Sequence, residues 1–254
     1  MKILAIAQNS FREAVRDRVF ALVGAFGLVL IVSSIVLSPL SVGAQQKLVA
    51  DIGLGGISIF AVLVVLFVGS GLVHKELDKR TIMTLLSKPV SRMEYLLGKY
   101  LGLLLTIVTM MAMMTVLFGI AILVTGTTFE WTYLVSIGLT LCEMILITAV
   151  VIFFSSFTGP LLTGLFTMGI FIAGRTLSNV LDFAHVTENP TLAETVRTLR
   201  NIVPNLDLFD VRTAVVHGLP LDPANVAWAV GYMALYSAGL LVAAEFIFRR
   251  REFK

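Results

Sequence analysis

YLGLLLTIVTMMAMMTVLFGIAILVT, residues 100–125, contains no charged side chain. A helix crosses the hydrocarbon core of a bilayer with about 20 mostly apolar residues, and this run exceeds that length. In lipid, every backbone N–H and C=O must be satisfied inside the segment, so the run reads as a spanning helix. Working outward, residues 19–40, 57–73, 131–154, 161–181 and 226–248 are apolar runs of similar character. Pro39, the Gly53–Gly55–Gly56 cluster, Gly126 and Gly159–Pro160 supply breakers between them. The expectation is an all-α integral membrane protein: one transmembrane domain, residues 1–254, with six spans.

Composition agrees. Hydrophobic residues make up 57% of the 254 and charged residues only 14%, with a mean hydropathy of +0.95. Soluble domains carry about 25% charged residues, so most of this surface does not face water. A net charge of +3 gives nucleic-acid binding no support. The single cysteine, Cys142, excludes a disulfide framework or a cysteine-based zinc site.

The placement of Lys and Arg predicts orientation. Lys2, Arg12, Arg16 and Arg18 precede the first span. Lys75, Lys79, Arg80, Lys88, Arg92 and Lys99 follow the second, and Arg249, Arg250, Arg251 and Lys254 follow the sixth. The loops after the first and third spans are poor in basic residues, and residues 183–225 set Arg197, Arg200 and Arg212 against five acidic residues, so both termini are expected in the cytoplasm of a plasma (bacterial inner) membrane protein. Residues 1–18 place Ile3, Ala7, Phe11, Ala14 and Val15 at helical spacing, which predicts an amphipathic helix at the inner interface, turning into the first span near Arg18. Residues 183–225 then lie outside. Asn189-Pro190-Thr191 with Glu194 predicts a helix start there, and a second short helix is expected over 207–217.

The cytoplasmic loop, residues 74–99, reads HKELDKRTIMTLLSKPVSRMEYLLGK. Leu77, Ile82, Leu85 and Leu86 give a short helix an apolar stripe that needs a partner to cover it. Pro89 ends that helix, and Ser91 with Glu94 fits a capping box that starts the next one. The run Glu76, Thr81-Ile82, Leu85-Leu86-Ser87, Pro89-Val90-Ser91-Arg92, Tyr95 and Gly98-Lys99 resembles the coupling-helix region of ABC-2 type permeases, the membrane subunits of ABC exporters. The arrangement of elbow helix, six spans and long outer segment resembles that family (type V exporter-like) as well. Phe11-Arg12-Glu13 and Pro204-Asn205-Leu206-Asp207-Leu208-Phe209-Asp210 are similar to permeases of copper-processing systems that help mature nitrous oxide reductase.

The resemblance implies a permease that couples hydrolysis in a separate cytoplasmic ABC ATPase dimer to substrate export or to a transmembrane conformational signal. Glu76, Leu77, Thr81, Ile82, Leu85, Leu86 and Pro89 would form the ATPase-coupling contact. It implies ATP and Mg in the partner and no cofactor in this chain; Gly98-Lys99 lacks the glycine and Ser/Thr of a phosphate-binding loop. A second permease copy, in a homo- or heterodimer, the lipid bilayer and an extracytoplasmic accessory protein are the further expected partners. The competing class is an ATPase-independent channel or secondary transporter, for which inverted repeats are expected; none is evident. Hydrolase and metalloprotease motifs are absent from the spans.

Two charges fall inside the spans. Counting about 1.5 Å per residue, Glu143 lies about 16 Å and Arg175 about 22 Å from the inner end of their antiparallel helices. Charges at that depth are expensive and usually find a partner, so one expectation is an intramembrane Glu143–Arg175 pair or shared polar cavity, and the alternative is that Arg175 reaches the outer surface while Glu143 is protonated. Met110, Met111, Met113 and Met114 cannot all point one way and read as flexible packing. Gly98 and Gly102 form a small-residue face of the kind that lets helices of two copies approach.

Overall fold

The computed structural model of the chain describes residues 2–16, 19–37, 44–78, 91–186, 190–200 and 202–250, and its described secondary structure is helical throughout. In chain order the helices are α1 (Lys2–Arg16), α2 (Val19–Leu37), α3 (Gln45–Asp78), α4 (Arg92–Thr125), α5 (Trp131–Ser155), α6 (Pro160–Val186), α7 (Pro190–Arg200), α8 (Arg212–Val216) and α9 (Pro223–Arg250), with a 3₁₀ turn at Asp207–Phe209. Among the described residues, α3, α4, α5, α6 and α9 are long and apolar enough to cross a membrane. α2, Val19–Leu37, is 19 residues long and carries no charged side chain.

Local chemistry sets the ends. At the start of α4, Glu94 N donates to Ser91 Oγ (3.1 Å) and Ser91 N donates to Glu94 Oε2 (2.8 Å), closing the capping box. At its far end Gly126 adopts φ 68°, the left-handed position that glycine takes without strain, and its N–H caps Ile122 and Leu123 carbonyls. Proline opens α6, α7 and α9, where its missing N–H would have had no intrahelical acceptor. Asp222 caps α9 by accepting from Ala224 N at 2.9 Å.

The core lies between α3 and α5, whose most apolar windows are both 67% buried, against 17% for α6 and α9. Met144, Leu146, Ile147 and Val151 of α5 meet Leu54, Ile57, Val65 and Val68 of α3 in one cluster, which Met110, Met111, Met114 and Phe118 of α4 complete. Met113 points away, 39% exposed, so the methionines pack as separate fillers. On the rim, exposed Leu28, Val29, Val32 and Val36 of α2 and Leu161, Leu162 and Leu165 of α6 present the apolar surface that lipid solvates.

Two sequence readings are corrected. The Gly53–Gly55–Gly56 cluster does not separate two segments; α3 runs through it, starting at Gln45 rather than near 57. A β-carbon at Gly53 would run into Phe118, one at Gly55 into the Arg212 guanidinium, and one at Gly56 would lie 2.8 Å from Phe26. These glycines admit neighbours to the helix surface, a packing use that local propensity does not distinguish from a break. Gly98 and Gly102, read as a face for a second copy, are filled from within the chain by α1. Added β-carbons there would sit 2.7 Å from Ile6 and 2.6 Å from Ser10 Cβ. The stripe of α1 that docks is the small one, Ala7, Ser10 and Ala14, all buried, while Leu4 and Val15 are exposed. α1 is described to Arg16 and α2 from Val19; the turn expected near Arg18 lies outside the described residues.

Candidate functional site

The segment after α7, expected to lie on the outer side, is not a loop lying over the helix ends. After α7, residues 202–218 fold back against α3, α5, α6 and α9, with Leu206, Phe209, Val215 and Val216 buried in the main core. Leu206 N donates to the carbonyl of Gly174 in the middle of α6, at 3.1 Å. That approach requires glycine, because a β-carbon on residue 174 would lie 2.7 Å from both Leu206 Cγ and the Pro204 carbonyl oxygen. Tyr232 and Tyr236 of α9 hold the same segment. Asn205 N donates to Tyr232 Oη at 3.0 Å, and Tyr236 Oη donates to the Ile202 carbonyl at 3.1 Å. The single helix expected over 207–217 is split into the 3₁₀ turn and α8. Asp210 lies at the join and accepts from Arg212 N at 3.3 Å through Oδ1.

This insertion brings Asp210 to Arg175. The Arg175 guanidinium donates through Nε to Glu143 Oε1 (2.8 Å) and through Nη2 to Glu143 Oε2 (2.6 Å), the two-pronged geometry that makes Arg–carboxylate pairs strong. Nη2 also reaches Ser58 Oγ at 3.0 Å, and Nη1 reaches Asp210 Oδ2 at 3.0 Å. The group lies 5.2 Å from the centre of the Phe171 ring, in cation–π range. Four of its five N–H groups are thereby engaged. Glu143 is fully buried, whereas the Arg175 and Asp210 side chains retain 26% and 31% exposure.

Arg212 extends the array. It lies against the Gly55 face of α3, with Nε 3.4 Å from Asp51 Oδ1, an ion pair longer than a hydrogen bond. Asp51 and Ser58 are seven residues apart on α3 and share a face. Charged side chains from α3, α5, α6 and the segment after α7 thus form two groups, Asp51 with Arg212 and Glu143 with Arg175 and Asp210, joined by the backbone N–H of Arg212 on Asp210. Their chemistry is that of a brace: ion pairs and hydrogen bonds join these elements to one another. Among the described residues, no three His, Cys, Asp or Glu side chains gather where they could hold a metal.

Of the residues named from sequence, Glu143 and Arg175 are brought together. Glu76 and Leu77 fall on the last turn of α3, with side chains outside the described residues. Thr81, Ile82, Leu85, Leu86 and Pro89 lie outside the described residues altogether. Sequence reasoning missed Asp210, Ser58, Arg212 and Asp51. One signal bore on Asp210: Leu206, Phe209, Val215 and Val216 lie around it, apolar residues that a connection lying in water would not need. A family model described as ABC-2 family transporter protein matches residues 4–253. No curated protein matches the chain.

Proposed function

Because the chain belongs to the ABC-2 transporter family, a family of membrane permease subunits, we propose that its movements are driven by ATP hydrolysis in a separate cytoplasmic ATPase. The observation that carries this reading is the family match itself, which runs from residue 4 to residue 253 and so spans the whole 74–99 connection. In the proposed mechanism the apolar stripe of that connection, Leu77, Ile82, Leu85 and Leu86, seats in the ATPase, with Glu76, Thr81 and Pro89 shaping the contact. Its movement passes directly into α3 and α4, the two helices that flank it. Two such subunits work as a pair across a plasma membrane, with both termini cytoplasmic, to export a substrate or to transmit a conformational signal. The charged brace gives the movement a route outward: Ser58 and Asp51 ride on α3, and Arg175 and Arg212 carry displacement of α3 to the outer segment. The family match stops at the ABC-2 level, so a copper-processing role rests on the resemblance of residues 11–13 and 204–210 alone.

The test is co-purification of the co-expressed ATPase in mild detergent, comparing the native chain with the double variant Ile82→Asp/Leu85→Asp. Retention by the native chain and loss from a variant that still elutes as a folded membrane protein supports the coupling contact. Equal retention by both, or none by either, overturns it.

A further inference from the structure

A cavity of about 230 Å³ opens where α3 and α5 begin and α8 ends. α3 contributes Gln46 and Lys47, the start of α5 contributes Glu130 and Tyr133, and His217 closes the α8 side. The Glu130 carboxylate is held in place: Gln46 Nε2 donates to Oε1 at 2.7 Å, and Thr132 Oγ1 lies 3.4 Å from Oε2. Lys47 lines the same cavity yet forms no ion pair with Glu130, nor any hydrogen bond or ion pair with another described residue. A fixed anion and an unpartnered cation therefore share one open cavity without closing on each other. Beside them Trp131 is 80% exposed and Phe129 42% exposed, stacked edge to face. Such exposed aromatics at the end of a spanning helix mark headgroup depth.

We propose that this cavity binds a phosphate–ammonium zwitterion, with the ammonium on Glu130 and the phosphate on Lys47 and His217. A lone anion would meet the Glu130 carboxylate, and a lone cation would meet Lys47; a ligand carrying both charges at neighbouring positions satisfies the two walls together. The chemistry is shared by the headgroup of phosphatidylethanolamine and by free phosphoethanolamine. Either would bridge the start of α3 and α5 to the end of α8, fastening the outer segment at a second point beyond the Arg175 brace. The inference requires only that these helices span a membrane and is independent of the energy source.

The experiment follows thermal unfolding of the full chain in maltoside micelles by tryptophan fluorescence. Phosphatidylethanolamine, phosphatidylglycerol with the same acyl chains, and soluble phosphoethanolamine are added separately. A ligand that binds only the folded state raises the midpoint. The expected result is a rise of about 3 °C or more with phosphatidylethanolamine and less than about half of that with phosphatidylglycerol. Glu130→Gln, which keeps an acceptor for Gln46, and Lys47→Ala, at an exposed position, are each expected to abolish the preference. An equal rise with both lipids, or a preference that survives in both variants, overturns the proposal. A comparable rise with phosphoethanolamine supports the site and assigns a soluble ligand; a rise with the lipid alone supports it and assigns the bilayer. Should Glu130→Gln fail to fold, Lys47→Ala decides.

Discussion

Arg175 serves two carboxylates that are not equally replaceable. Glu143 is fully buried and its acceptors are taken by one guanidinium, so removing the arginine strands a charge. Breaking a buried pair from one side costs about 3–5 kcal/mol. Arg175→Leu is therefore expected to lower the thermal midpoint steeply, and Glu143→Gln in the same chain to recover much of the loss. If the double variant is no better than Arg175→Leu alone, the pair is not what the single change disrupts. Asp210, about one-third exposed, is held more weakly, and Asp210→Asn is expected to cost about 1 kcal/mol or less. The pair is legible in the sequence because two charges in apolar helices must be accounted for and their depths can be counted. Asp210 is less legible: the apolar residues around it hint that the segment after α7 is buried, but nothing local says where in the bundle it returns.

At the scale of elements, glycines decide which surfaces touch. Gly174→Ala is expected to push residues 204–206 off α6, since both near contacts are at 2.7 Å and one of them is backbone. Overpacking of this kind costs about 1–3 kcal/mol, and hydrogen exchange at the Leu206 amide should accelerate. Gly169→Ala, five residues earlier in the same helix with nothing within 4 Å, is the control and should be neutral or stabilise by about 0.5–1 kcal/mol. Gly102→Val is likewise expected to displace α1, with its β-carbon 2.8 Å from the Ala7 carbonyl, and to expose the N-terminal helix to protease. The amphipathic pattern of α1, the capping box of α4 and the proline-opened helices can all be read locally. The continuity of α3 through three glycines cannot, because a glycine that ends a helix and one that admits Phe118 to its surface have the same local signature.

For the whole molecule, charge asymmetry makes a directional prediction. With Cys142 replaced by serine the chain has no thiol, so single cysteines report sidedness. His217→Cys, at an exposed position, is expected to react with a membrane-impermeant maleimide in intact cells. Ser91→Cys, also exposed, should react only after permeabilisation. The reverse pattern would invert the topology and move the 74–99 connection away from any cytoplasmic ATPase.

The outer segment's clamps lie on helices made at different times. Gly174 and Arg175 belong to α6, whereas Tyr232 and Tyr236 belong to α9, which is synthesised later. On the ribosome, Arg175 can meet Glu143 as soon as α6 is inserted, before Asp210 has been made. The brace is thus assembled in two stages, and its second half locks only when α9 is delivered. A chain released before α9 would expose a half-satisfied arginine to quality-control proteases, so the same contacts that tie the segment down also report whether α9 has arrived.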